Sequence, residues 1–135
     1  MAERTRRLFF ALWPDSLVRT RCDWYAAALL GKRVRRVPAD DLHITLGFAG
    51  SVGTEVCHCL EAQADQVAVA PFDLQIDHLG YWHRQRLLWM GPTHTPDGLW
   101  ALVTAIRDSF DVCGLERDRR AFQAHMTLAR KFDRA

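Results

Sequence analysis

The sequence predicts an α+β fold in which one strand–helix–strand unit is used twice within a single domain, residues 1–135. Three observations carry that expectation. The tetrapeptides HITL (43–46) and HMTL (125–128) both sit inside apolar runs. Each comes after the same succession: an apolar strand, a helix, then a basic loop. The spacings also match, 36 residues from Arg7 to His43 and 39 from Arg86 to His125. The repeats cover roughly 1–70 and 71–135. A motif recurring in register within a repeated unit says more than the motif alone.

The elements can be taken in chain order. RRLFFALW (6–13) is an aromatic, apolar run closed by Pro14, and reads as a buried strand. Asp15 or Ser16 caps a helix that runs to Gly31, a residue suited to a helix stop. A basic stretch leads to Pro38, and DLHITLGF comes next as a strand. GSVGT reads as a turn, with Thr54 capping a helix to about Val69 before Pro71. In FDLQIDHLGYW, Phe72, Leu74 and Ile76 alternate with Asp73, Gln75 and Asp77, which predicts a strand with one wet face. HRQ turns into RLLWMG, and PTHTPDG is a loop. LWALVTAIRDSF is an amphipathic helix ending near Gly114, and AFQAHMTLAR is the last strand.

Composition narrows the classes. At 135 residues and 49% hydrophobic content, the chain suits one compact core rather than two domains or a disordered segment. No apolar run approaches the roughly 20 residues of a membrane span, so no membrane partner is expected. The opening MAERTRRLFFALWPD imitates a signal peptide, but it lacks a small-residue cleavage site and reads better as a strand. Cys22, Cys57, Cys59 and Cys113 show no framework spacing, which suggests a cytoplasmic protein with reduced thiols. Net charge is +2, too small for a general polyanion binder. Of the 18 basic residues, however, only Lys32 and Lys131 are lysines. Arginine matches phosphate oxygens bidentately, although a GC-rich genome yields the same bias. GKRVRRVP (31–38) and ERDRR (116–120) each precede a His-x-Thr motif, where they are solvated faces or the walls of a nucleic-acid path.

On a strand, side chains at i and i+2 share a face, about 6.6 Å apart. His43 and Thr45 therefore project together, as do His125 and Thr127, while Ile44, Leu46, Met126 and Leu128 point into the core. Two-fold related units would set the pairs against each other across a groove. Displacement at phosphorus needs a base for the nucleophile and an acid for the leaving oxygen. Two imidazoles, which titrate near neutrality, can divide that work without a metal. Threonine hydroxyls can donate to the non-bridging oxygens. With eight threonines in the chain, two such pairs arise in roughly 5% of random shuffles, so their matched position in the repeat is what gives the motif weight.

With HITL, HMTL, the opening RLFFAL, the GYW…RLLW hairpin and the HMTLAR ending, the chain resembles the two-histidine phosphoesterase superfamily over nearly its whole length. Within it, the RNA 2′,3′-cyclic phosphodiesterase family, also called 2′-5′ RNA ligase, is most similar. The resemblance implies a bilobal α+β fold whose two antiparallel sheets form a cleft, with helices outside. It implies metal-free hydrolysis of RNA 2′,3′-cyclic phosphate ends to 2′-phosphomonoesters, with no cofactor. The RNA partner would be a tRNA fragment, another cyclic-phosphate end or a cyclic nucleotide. His43 takes the proton-donor place and His125 the proton-acceptor place. Thr45, Thr127 and Arg130 take phosphate-binding places. By spacing, Arg130 has the opposite parity to His125 and Thr127, so it must lie past a bend to join them. Family members usually continue with further strands, so the expectation is that the C-terminal lobe is either incomplete or minimal. The chain is expected to be a monomer, although an open strand edge would invite pairing.

Other residues are set aside. Cys57-His58-Cys59 lacks a second ligand pair at zinc spacing, and i and i+2 diverge on a helix. His78, His83 and His94 read as strand-end or loop histidines. Tyr81 and Trp82, beside a turn, are the best candidates for stacking on a base. No glycine-rich loop approaches the Walker pattern. Two other functions compete: reversible 2′-5′ RNA end ligation, and a non-catalytic RNA-end binding module. Paired acid and base groups favour an enzyme, since binding alone does not require both.

Overall fold

A computed structural model describes residues 4–31 and 34–131. Lys32 and Arg33 of the first basic stretch lie outside these described residues, as does the end of the chain after Lys131. The elements are β1 (Thr5–Leu12), α1 (Ser16–Leu30), a 3-10 turn (Ala39–Asp41), β2 (Ile44–Gly53), α2 (Thr54–Gln66), β3 (His78–Trp82), β4 (Leu87–Gly91), α3 (Asp97–Val112) and β5 (Met126–Ala129). The class is α+β, as the sequence predicts. Among the described residues the strands form one five-stranded sheet in the order β1-β2-β5-β4-β3, where the resemblance implied two. Among the described residues, no helix is long and apolar enough to cross a membrane.

The chain divides into two compact units, each drawing on both halves of the sequence. The first comprises residues up to Ala11, Thr45–Leu74 and Thr95–Gln123. Here α3 buries Leu99, Val103, Ile106 and Phe110, a stripe at helical spacing. Gly47 of β2 lets that stripe approach, since a Cβ there would sit 3.0 Å from Ile106 Cγ2. Each such buried side chain stabilises the fold by about 1.5–3 kcal/mol relative to exposure. Helix α3 stops where Gly114 adopts φ +78° and Leu115 N–H reaches back to the Phe110 carbonyl at 2.8 Å.

A disulfide joins Cys59 of α2 to Cys113, the C-cap of α3. This corrects the expectation of four reduced thiols: only Cys22 and Cys57 are free, both buried. Fifty-four residues separate the bonded pair, so proximity on adjacent helices, invisible to a spacing rule, brings them together. Burial pushes the Cys22 thiol above its ordinary value. Two boundaries also differ from expectation. GSVG continues β2 up to Gly53, and Gly53 rather than Thr54 is the N-cap of α2, without a side-chain cap.

The second unit comprises Leu12–Ile44, Gln75–His94 and residues from Ala124 on. Asp15 caps α1 by accepting from Val18 N–H at 2.9 Å, and Gly31 at φ +69° ends the helix. Strands β3 and β4 form a regular hairpin, with Gly80 opposite Trp89 and His78 opposite Gly91. The alternation at 72–76 does not make a strand. It persists as half-buried Phe72, Leu74 and Ile76 between exposed neighbours. Pairing stops because Pro92 comes after Gly91 and has no N–H to donate. Asp77 instead accepts from the backbone N–H and the hydroxyl of Thr93, at 2.7 and 3.0 Å. Those bonds hold its carboxyl below the ordinary value.

Candidate active site

Strands β2 and β5 run antiparallel with Ile44 opposite Met126, respectively 3% and 0% exposed. Leu42, Leu46, Ala124 and Leu128 are buried as well. The intervening His43, Thr45, His125 and Thr127 are all partly exposed. The core-facing and outward-facing alternation read from the sequence is therefore what the strands adopt. One step along the same register sets His43 across from Thr127, so the two motifs pass each other head to tail. Thr45 comes after Ile44 in β2 with the parity of His43.

Each histidine is the residue just before its strand. His43 lies two residues after the 3-10 turn, and its Nδ1 is 2.6 Å from the Asp41 carbonyl oxygen. A carbonyl can only accept, so Nδ1 carries the hydrogen in that contact. Trp13, just beyond β1, packs its ring on His43 at 4.8 Å between centroids.

His125 rests on aromatic rings. Trp82 meets it edge-to-face at 4.5 Å, and Trp89 lies 6.3 Å away. Trp82 in turn packs on Trp89 at 5.1 Å. Cross-strand pairing puts Gly80, Trp89 and Thr127 in one row on one face. Gly80 is small of necessity, because a Cβ there would lie 2.2 Å from Trp89 Cζ2. Trp89 Nε1 is buried without a hydrogen-bond partner among the described residues, so packing alone holds that indole. Trp82 thus supports the imidazole. The exposed His78 is at the start of β3 with its ring 5.5 Å from Trp89, His83 packs on Tyr81 in the turn, and His94 is an exposed loop residue.

An irregularity in β5 comes just before Arg130. Trp89 pairs with Thr127, but Leu88 pairs with Ala129, so Leu128 is passed over. Such a bulge reverses the parity of the residues beyond it. Leu128 and Ala129 are consecutively buried, and the exposed Arg130 regains the parity of His125 and Thr127.

The two basic stretches differ in electrostatics. In ERDRR, Arg117 is paired with Asp108 and Asp111, and Arg120 with Asp118. The Arg120 side chain, then its backbone N–H, holds the Asp118 carboxyl down to about 2. In the first stretch, Arg36 pairs with Asp23 of α1 at 4.0 Å and forms an isolated bridge with Ala129. Cys57-His58-Cys59 offers no ligand set: the Cys59 sulfur is bonded to Cys113, Cys57 is buried and His58 is exposed. Sequence reasoning missed Trp13, Gly80, Trp89 and the docking of 36–37 on β5. The adjacent glycine and tryptophan positions of the hairpin were the available signal.

A family model described as the 2′-5′ RNA ligase superfamily matches residues 11–135. The RNA 2′,3′-cyclic phosphodiesterase of Escherichia coli K12 is 34% identical over 126 residues, covering 93% of this chain and 72% of that protein. The protein of the same name from Archaeoglobus fulgidus is 30% identical over 128 residues, covering 92% and 72%. The crystal structure of E. coli LigT in apo form superposes with a TM-score of 0.89 at 33% identity, covering 99% of this chain and 76% of that one. The same enzyme has been seen complexed with 3′-AMP, again at a TM-score of 0.89. By sequence and by fold, this chain belongs to the 2′-5′ RNA ligase superfamily.

Proposed function

We propose that this protein hydrolyses the 2′,3′-cyclic phosphate end of RNA to a 2′-phosphomonoester, by metal-free acid–base catalysis. The observation that carries the reading is the Ile44–Met126 pairing, which sets the two His-x-Thr motifs antiparallel with their polar faces turned from the core. Relatives that bear the name RNA 2′,3′-cyclic phosphodiesterase add support.

In this reading, water attacks phosphorus while His125 takes its proton. The bond from phosphorus to the ribose 3′-oxygen breaks, and His43 gives its Nε2 proton to that oxygen. His43 ends neutral and His125 protonated, and exchange with solvent resets both. The Asp41 carbonyl fixes which His43 nitrogen serves, and the Trp82–Trp89 stack limits rotation of His125. Thr45, Thr127 and Arg130 donate to the non-bridging oxygens, where negative charge builds. The direction, with His43 as acid and His125 as base, comes from the family resemblance.

The test is incubation of pure protein, in EDTA, with an oligoribonucleotide ending in a 2′,3′-cyclic phosphate. Phosphorus NMR against authentic 2′- and 3′-monophosphates identifies the product. A 2′-phosphate with a free 3′-hydroxyl is expected. A 3′-phosphate would reverse the assigned direction, and turnover that returns only on adding Zn²⁺ or Mn²⁺ would overturn the metal-free route.

A further inference from the structure

The segment before the first motif is laid against the end of β5. Arg36 bridges Ala129 in antiparallel sense, and Val37 N–H donates to the Leu128 carbonyl at 2.8 Å. One step along that register sets Arg35 opposite Arg130. Arg36 turns toward α1, where its guanidinium meets the Asp23 carboxylate and backbone carbonyl. Alternation then gives Arg35 the opposite face, the one that the β5 bulge restores to Arg130, beside Thr127. Both arginines are exposed, and neither has a carboxylate partner among the described residues.

Like charges directly opposed on neighbouring strands repel. Three arginines of these basic runs show the alternative, since Arg36, Arg117 and Arg120 each meet a nearby carboxylate. Two guanidiniums a strand spacing apart, without carboxylate partners among the described residues, can hold neighbouring phosphates of one chain. We propose that Arg35 grips the backbone phosphodiester on the 5′ side of the terminal nucleotide, while Arg130 stays on the terminal phosphate. This rests on the cyclic phosphodiesterase reading, and it makes an RNA chain rather than a free cyclic nucleotide the preferred ligand. A mononucleotide has no phosphate to place there.

The test measures equilibrium binding, so it does not depend on turnover. Titration calorimetry compares an RNA trinucleotide ending in a 2′-phosphate with adenosine 2′-monophosphate. Wild-type protein should prefer the trinucleotide, and Arg35→Gln should reduce that preference about ten-fold or more, as expected for loss of a charged hydrogen bond. Its salt dependence for the trinucleotide should fall by about 0.7 in logarithmic slope, one phosphate contact on a single strand. Arg35→Lys should retain most of the slope and less of the affinity. Arg84→Gln, which removes an exposed charge in the β3–β4 turn, should leave the preference in place. Equal weakening of both probes by Arg35→Gln, no weakening, or no binding of the trinucleotide to wild type would each overturn the proposal. Failure of hydrolysis with the trinucleotide preference intact would instead count against the enzymatic reading alone.

Discussion

Ile44 and Met126 face each other across the β2–β5 ladder, both buried, and their pairing fixes where both motif histidines stand. A slip of one residue there would turn every polar side chain of one motif into the core. The apolar contact is thus the element on which the polar face depends.

Met126→Ala should therefore be costly. Removing a fully buried methionine leaves a cavity and lowers stability by about 2–5 kcal/mol. Urea unfolding followed by circular dichroism measures it. A loss below about 1 kcal/mol would mean that the ladder is anchored elsewhere.

Gly80→Ala tests the aromatic support of His125. The new methyl would collide with Trp89, which must shift and carry Trp82 with it. Overpacking of this kind costs about 1–3 kcal/mol. The His125 ring protons, lying against Trp82, should move in the NMR spectrum as the ring-current field changes. An unchanged His125 signal would separate Gly80 from the site.

Reduction of Cys59–Cys113 should lower stability, because the bond closes a 54-residue separation in the unfolded chain. The chain-entropy argument gives an upper figure of about 4 kcal/mol, with 2–4 usual. Thermal unfolding with and without dithiothreitol reads the difference. Cys59→Ser should match the reduced protein and no longer respond to the reductant.

Asp118 makes an acid-limb prediction. Its folded pKa of about 2 lies below the ordinary 3.8, so its contribution is complete above pH 4 and is lost as pH falls toward 2. The group is largely exposed, which keeps the effect small. Carboxyl-carbon NMR should show Asp118 still ionised at pH 3, and Arg120→Gln should return it toward the ordinary value. Normal titration in the wild-type protein would contradict the pairing.

Much of this was legible because strand chemistry is local. Ile44, Leu46, Met126 and Leu128 announce a core face, so His43, Thr45, His125 and Thr127 could be placed by parity alone. The features that stayed hidden depend on partners distant in sequence. The Cys59–Cys113 bond needs the packing of α2 against α3. The bulge at Leu128 appears only when β5 is matched to β4. Phe72–Ile76 has a strand's pattern but no neighbour to pair with, because Pro92 stops β4. That Trp82 packs on His125 could not be read from its own segment.

The measurement that bears most directly on the whole account is the rate of cyclic-phosphate opening by His43→Ala, His125→Ala and the double variant. A base or acid of this kind contributes about 10²–10⁴-fold, and groups that act as a unit are not additive. Each single variant, folded by circular dichroism, should lose that much turnover, and the double variant should lose little more than the worse single one. Near-wild-type turnover in either folded single variant would contradict the two-histidine mechanism.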